Sequence, residues 1–387
     1  MARKTEGPVL FSIGFRPFFI GCGAWAIIVM VAWVLALFGH LSLPDHLTPV
    51  EWHFNELLFG VIGAAMAGFI LTAIPNWTGH LPLRGRALML LFALWCAGRL
   101  ASLFGASLGA GAVAIVDSAF FVGLFAVVFR EIVHGKNWRN LPVAVAIGLF
   151  GAAHILFYLE ALDMVSMNDA AQRLGLGVIG CLLTLIGGRI VPSFSRNWLK
   201  RRNQEGTVGA TLGPIDKLAM LVTVLSLLAW VVVPDHRAVG FALILAGLLN
   251  AARLTRWRGL RTLSEPLLFI LHVGYGWLAL ALALLGVSIL HNGITQADAL
   301  HALSVGAAGT MIMAVMSRAI LGHTGRDLHA DLTMTLAFAL MSVAALARLG
   351  VVVLPGFAME LYSLSGGGWT LAFCLFVWRF APIAFGK

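Results

Sequence analysis

The chain has 387 residues, of which 60% are hydrophobic and 11% are charged, and its mean hydropathy is +0.93. This composition excludes a soluble globular protein. The formal net charge of +9 does not indicate a nucleic-acid partner, because the basic residues are spread over short loops between apolar segments. The composition therefore predicts an all-α integral membrane protein that folds in a lipid bilayer.

Twelve apolar segments are long enough to cross a bilayer, which takes about 20 residues. In chain order they are predicted at 18–39, 53–75, 87–104, 111–132, 141–162, 173–192, 216–234, 238–255, 266–290, 299–321, 331–352 and 358–382. The first segment is too long for the apolar region of a signal peptide and is interpreted as a span. The longest connection, 193–215, is too short for a soluble domain. We therefore expect residues 1–387 to form a single transmembrane domain.

The distribution of basic residues gives an independent test of this topology. If the N-terminus is cytoplasmic, all but four of the 26 Lys and Arg residues fall on the cytoplasmic side. The exceptions are Arg99, Arg173, Arg237 and Arg348. The positive-inside rule thus favours twelve helices with both termini in the cytoplasm.

Three helices carry a similar glycine motif. GVIG occurs at 60–63 in the second helix and at 177–180 in the sixth, and GAAG occurs at 306–309 in the tenth. Because the three helices are four apart, the motif indicates tandem four-helix repeats around a pseudo-threefold axis. The repeats would cover 15–135, 141–258 and 265–384. Close helix packing also explains such glycines.

Ionisable side chains within spans are costly, about 2.5–3.5 kcal/mol at the centre of a helix on insertion scales. His53 and Glu56 share one face at the start of the second helix, and His301 lies at the start of the tenth. His154 and His272 lie inside apolar segments with no charged neighbour in the sequence. Each of these two needs a partner from another helix or a metal ion. The alternative for every histidine is an ordinary hydrogen-bonded side chain.

Six strings combine aromatic, glycine and polar residues at fixed offsets. They are FRPFF from Phe15, WHFNELLFG from Trp52, AGFILTAIPNWTG from Ala67, GGRIVPSFSRNWL from Gly187, EPLLFILHVGYGW from Glu265 and HALSVGAAGTMIMAVMSRAILGHTGR from His301. Together they resemble the NnrS family over nearly the whole chain. The resemblance implies a bacterial inner-membrane protein that carries haem and copper and takes part in the nitric oxide response, often beside denitrification. The chain departs from the family at Asn55, where many members have a histidine.

The resemblance gives the polar residues chemical roles. Imidazole suits both iron and copper, and non-covalent haem b needs an axial histidine. We expect His53 and His301 to bind haem, with Arg99 and Arg348 as cationic partners of its propionates. Snorkelling toward the membrane surface is the alternative for both arginines.

The remaining polar residues are assigned to a second metal and to catalysis. His154, with His272 or His323, is expected to bind copper. Glu56 is expected to carry protons, and His154 to act beside it. These residues would serve the binding of nitric oxide and its removal, with reduction to nitrous oxide as one route and an unidentified electron donor.

Two other functions stay open at this stage. Twelve helices with internal repeats also describe secondary transporters, although the sequence shows no charge pairs within its spans. A non-catalytic haem sensor, or a protector of other metal centres, is the third hypothesis. Turnover of nitric oxide with a supplied electron donor separates the first hypothesis from the third.

Overall fold

In the computed structural model, residues 8–79, 81–204, 208 and 213–386 are described. This part of the chain is helical and contains no β-strand. It has twelve helices that are long and apolar enough to cross a membrane, which confirms the predicted number. Residues 1–7 and 387, at the predicted cytoplasmic ends, lie outside the described residues.

The twelve segments, labelled in chain order, begin and end close to the predicted positions. They are α1 (Phe15–Leu37), α2 (Pro49–Pro75), α3 (Arg86–Leu103), α4 (Ala110–His134), α5 (Trp138–Ala161), α6 (Ala170–Arg201), α7 (Pro214–Val232), α8 (Arg237–Thr255), α9 (Pro266–Leu290), α10 (Gln296–His323), α11 (Leu332–Val353) and α12 (Pro355–Ala384).

The end of α6 differs from the prediction. The sequence places a loop after residue 192, but the helix continues through Pro192 to Arg201. A proline inside a helix removes one backbone hydrogen bond. In the turn that contains Pro192, the Ser195 hydroxyl donates to the Val191 carbonyl at 2.9 Å. Val191, Pro192, Ser195 and Leu199 are all buried. Their burial on one side of the helix extends it past the apolar segment.

Capping boxes fix the starts of α2 and α10, the helices that carry His53 and His301. In α2, the backbone N–H of Thr48 donates to Glu51 Oε2 at 2.9 Å, and the backbone N–H of Glu51 in turn donates to the Thr48 side chain. In α10, Thr295 and Asp298 form the same reciprocal pair. Each box satisfies backbone donors that a helix start leaves unpaired.

Three of the helices contain a π-helical segment, in which hydrogen bonds reach one residue further than in an α-helix. The segments are Asn55–Ile62 in α2, Leu183–Gly187 in α6 and Ala302–Gly309 in α10. These are the three helices that carry the repeated glycine motif. Such wide turns are rare and are frequent at functional sites. The threefold arrangement itself stays a prediction.

The motif glycines of α10 are covered by aromatic rings. A Cβ atom added at Gly306 would lie 2.7 Å from the Trp277 ring, and one at Gly309 would lie 2.7 Å from Trp369. Both positions therefore serve close packing, which the sequence left as one of two explanations.

The described residues divide into two compact units. Unit 1 comprises those of 1–175, 319–326 and 373–387, and unit 2 those of 176–318 and 327–372. The three four-helix repeats at 15–135, 141–258 and 265–384 stay a prediction. Each unit is described separately below.

Candidate functional site

Unit 1 contains a buried group of polar side chains that we call the Glu56 cluster. It is built by α1 to α5, and every member is at most 6% exposed. Its members are Trp25, Asn55, Glu56, Arg99, Asp117, His154 and Tyr158. The polar faces of these helices point inward, whereas residues of α4 such as Ile115 and Val122 are exposed.

A single guanidinium holds two carboxylates at the centre of the cluster. Arg99 Nη1 donates to Glu56 Oε2 at 2.5 Å, and Arg99 Nη2 donates to Asp117 Oδ1. Trp25 Nε1 donates to the same Glu56 oxygen at 2.7 Å. A buried charge without a partner is very costly, so these contacts are what permit two acids inside the protein.

Asn55 and Tyr158 extend the network around Asp117. The Asn55 amide nitrogen lies 3.1 Å from Glu56 Oε1 and 3.3 Å from Asp117 Oδ2. The Tyr158 hydroxyl donates to Asp117 Oδ2 at 3.1 Å. Asn55 thus bridges the two acids.

The partner of His154 comes from a neighbouring helix. His154 Nε2 lies 3.2 Å from Asp117 Oδ2, and Nδ1 lies 3.3 Å from Ser118 Oγ. The ring packs against Phe59 and Phe121, with centroids 4.8 and 4.7 Å away. The structure therefore brings the two predicted catalytic residues, Glu56 and His154, into one cluster. As placed, both nitrogens of His154 are engaged in hydrogen bonds, so the ring fits poorly as a metal ligand.

A small residue at position 60 lets the cluster form. A Cβ atom at Gly60 would lie 2.5 Å from Arg99 Nη1 and 3.1 Å from Trp25 Nε1. We expect Gly60→Ala to destabilise the protein by about 1–3 kcal/mol through overpacking, measured as thermal unfolding in detergent. Gly111→Ala is the matched control, because no atom lies within 4 Å of its added Cβ. Equal stability of the two variants would contradict the described packing.

Unit 2 has a second buried ion group, the Arg253 cluster. Arg253 Nε donates to Asp216 Oδ1 at 3.0 Å, and its Nη1 donates to the Tyr275 hydroxyl at 2.6 Å. Arg256 Nη1 donates to Asp216 Oδ2 at 3.2 Å. Arg253 is 1% exposed, although the sequence places it among the cytoplasmic basic residues.

The two clusters correct the statement that the spans hold no charge pairs. Arg99 pairs with Glu56 and Asp117, and Arg253 pairs with Asp216. Each pair joins residues far apart in the sequence and on different helices. Such a pair cannot be recognised within any one apolar segment, which is why the sequence pattern missed it.

His301 and Arg348 lie together in unit 2. His301 Nδ1 is 2.7 Å from the Ala297 carbonyl oxygen, one helical turn earlier. Arg348 Nη1 donates to Asp298 Oδ1 at 3.1 Å, and its guanidinium lies over the Tyr362 ring. Asp298 precedes His301 by three residues in α10, so this hydrogen bond places Arg348 at the same turn of the helix. Two of the predicted cofactor-binding residues are thus neighbours.

The orientation of His301 fits an axial ligand of haem. A carbonyl oxygen only accepts hydrogen bonds, so Nδ1 carries the proton and Nε2 carries the lone pair. Metal-bound histidines are typically held in this way by a partner of the other ring nitrogen.

His53 belongs to unit 1, whereas His301 belongs to unit 2. The His53 ring lies against Trp33 of α1, with ring centroids 4.1 Å apart and planes at 30°. The pairing of His53 with His301 around one haem stays a prediction. Arg99, the other predicted partner of a propionate, uses both terminal nitrogens for carboxylates of the protein.

His272 and His323, the other predicted metal ligands, each contact residues of their own unit. His272 has Nδ1 3.1 Å from the Leu268 carbonyl and Nε2 3.1 Å from Ser195 Oγ. His323 stacks on Phe15 with centroids 5.9 Å apart. Among the described residues, no three His, Cys, Asp or Glu side chains form a group that could hold a metal ion. The copper site stays a prediction, and no chemical step is assigned to copper.

Sequence reasoning missed Asp117, Tyr158 and Trp25. Asp117 is the only charged residue of α4 before Arg130, and an ionisable residue in a span indicates a functional site by default.

The chain has three tyrosines, and each lies beside a buried or half-buried arginine. Tyr158 belongs to the Glu56 cluster, Tyr275 to the Arg253 cluster, and Tyr362 lies under Arg348.

Twelve apolar helices, with one buried ion cluster described in each unit, define an all-α multi-pass membrane protein. The family model described as NnrS protein matches residues 9–387, and the chain therefore belongs to the NnrS family. None of the curated proteins matches the chain. Membership of this family supports a membrane protein of the nitric oxide response.

Proposed function

We propose that this protein carries haem b in the bacterial inner membrane, with both termini cytoplasmic, and that it binds nitric oxide and removes it by reduction. The observation that carries the proposal is the orientation of His301, with Nδ1 on the Ala297 carbonyl, in a chain of the NnrS family. Arg348, beside His301, uses Nη1 for Asp298 and has further N–H groups for a propionate.

Haem iron would supply the site at which nitric oxide binds and electrons arrive. Reduction joins two molecules of nitric oxide with two electrons and two protons, giving nitrous oxide and water. The electrons come from a donor that the chain does not identify. The Glu56 cluster would hold the protons, because its two acids share one arginine and one acid can therefore take up a proton without leaving Arg99 unpaired.

Optical spectroscopy of the purified protein tests this proposal. We expect a Soret band in the dithionite-reduced protein that shifts when nitric oxide is added anaerobically. Consumption of nitric oxide with an artificial electron donor then separates a reductase from a sensor or protector. A reduced protein without a Soret band would refute the proposal.

Glu56→Gln tests the proton role of the cluster. The amide keeps an oxygen for Trp25 and Arg99 but cannot carry a proton, so we expect turnover of nitric oxide to fall by about 10²–10⁴-fold. Haem content and the nitric oxide-induced Soret shift should stay at the wild-type level. Wild-type turnover in Glu56→Gln would remove Glu56 from the mechanism, and recovery in Glu56→Asp would support it.

A secondary transporter is the second candidate. Charge pairs within the spans of both units favour it, because ionisable groups inside spans mark substrate and ion pathways. Pure protein without haem that moves a solute across proteoliposome membranes would establish the transporter.

A further inference from the structure

Unit 1 holds several buried polar atoms, in and beside the Glu56 cluster, that have no hydrogen-bond partner in the protein. They are both ring nitrogens of His46, Trp52 Nε1, Asn55 Oδ1, Arg99 Nε and Ser102 Oγ. A buried donor or acceptor without a partner costs about 1–3 kcal/mol. Several such atoms in one region indicate that a ligand with hydrogen-bonding capacity occupies it.

One face of α3 and its continuation connects this region to the Glu56 cluster. Gly98 and Ser102 lie four residues apart in α3, and Gly105 begins the short helix Gly105–Leu108 that follows the end of α3 at Leu103. A Cβ atom at Gly98 would lie 2.5 Å from Asp117 Oδ1, and one at Gly105 would overlap the His46 ring. The face therefore runs from Asp117 to His46, a rise of about 10 Å.

Buried polar side chains lie along this face between Asp117 and His46. Ser102 lies between the two glycines and beside the Glu56 carboxylate, and it is fully buried. From α2, Trp52 lies one turn before Glu56 on the same face and is also fully buried. Their unsatisfied atoms are an indole N–H donor and a hydroxyl that donates and accepts.

His46 lies at the far end of this face, in the loop between α1 and α2. Burial lowers the pKa of His46, whereas Asp117 and Asp45 act to raise it. At neutral pH the ring is therefore neutral, with one donor nitrogen and one acceptor nitrogen. Both nitrogens are buried and without a protein partner, so the ring can hydrogen-bond on two sides at once.

The mixture of donors and acceptors identifies the ligand as water. An anion would be repelled by the carboxylates of Glu56 and Asp117. A cation would find few free ligands, because the carboxylate oxygens of both residues are already hydrogen-bonded within the protein. Water both donates and accepts, and buried waters typically make about three hydrogen bonds to polar groups of this kind.

We propose that a chain of bound water molecules connects His46 to Glu56 along the Gly98–Ser102–Gly105 face and gives the Glu56 cluster a buried route for proton exchange. The water chain itself is independent of the proposed reduction of nitric oxide. Its use as the proton supply rests on that proposed function.

X-ray hydroxyl-radical footprinting of the full-length protein in detergent tests the water chain, because radicals form at bound water and modify adjacent side chains. We expect Trp52 to be modified several-fold faster than Trp257, which is 1% exposed and lies in unit 2. Equal, slow modification of Trp52 and Trp257 would overturn the proposal.

Ser102→Val removes a hydroxyl at the middle of the chain and fills its space. We expect the modification rate of Trp52 to fall toward that of Trp257, while Ser107→Val, the same change at an exposed serine, leaves it unchanged. An unchanged Trp52 rate in Ser102→Val would exclude the route along this face. Neither measurement requires haem or nitric oxide, so a failure here is distinguishable from a failure of the proposed function.

Discussion

Arg99→Met is expected to destabilise the folded protein by about 3–5 kcal/mol, the cost of removing one partner from a buried ion pair. The variant keeps most of the side-chain volume but leaves Glu56 and Asp117 without their common cation. Both acids are at most 1% exposed, so solvent cannot replace the guanidinium. The free energy of unfolding in mixed micelles, or the thermal midpoint in detergent, measures the effect.

Arg130→Met is the matched control in the same unit. Arg130 also pairs with a carboxylate, Glu131, but its side chain is 58% exposed, and an exposed pair contributes only about 0–1 kcal/mol. Adding Glu56→Gln and Asp117→Asn to Arg99→Met removes the unpaired charges, and we expect it to restore much of the lost stability. If Arg99→Met is as stable as Arg130→Met, the Glu56 cluster is not buried as described.

His301→Ala is expected to lower the affinity for haem by more than about 100-fold. Loss of a residue that only supports a metal ligand typically costs roughly 10–100-fold. The loss is greater here because the proposed ligand itself is removed, whereas the capping box of Thr295 and Asp298 that starts α10 is retained. The ratio of Soret absorbance to protein absorbance in purified material measures the haem content.

His134→Ala controls for the loss of a helix-end histidine. His134 Nδ1 lies 2.9 Å from the Arg130 carbonyl oxygen, the same local geometry as in His301, but the residue is exposed at the end of α4. We expect His134→Ala to keep its haem. Full haem in His301→Ala would exclude His301 as a ligand, and the same measurement on His53→Ala tests the other predicted ligand independently.

The sequence predicted the membrane helices well because one physical quantity, the length of apolar chain needed to cross lipid, determines them. It failed at the end of α6, where the buried face of Val191, Ser195 and Leu199 continues the helix beyond the apolar segment. Tertiary packing decides such an end, and it is not visible in local hydropathy.

The members of the Glu56 cluster were predicted only in part. The cost of burying ionisable groups singled out Glu56 and His154 as residues that need an explanation, and the distribution of basic residues singled out Arg99. The same argument applies to Asp117, which was overlooked within a strongly apolar helix. Which groups meet depends on the arrangement of five helices, and no spacing within a single helix encodes that arrangement.

Haem and metal analysis of the purified protein, produced in haem-replete cells, is the decisive test of haem binding. We expect haem b in constant proportion to the protein through successive purification steps, with most of it lost in His301→Ala. Folded protein that is free of haem, with a far-ultraviolet spectrum of normal helix content, would contradict this expectation.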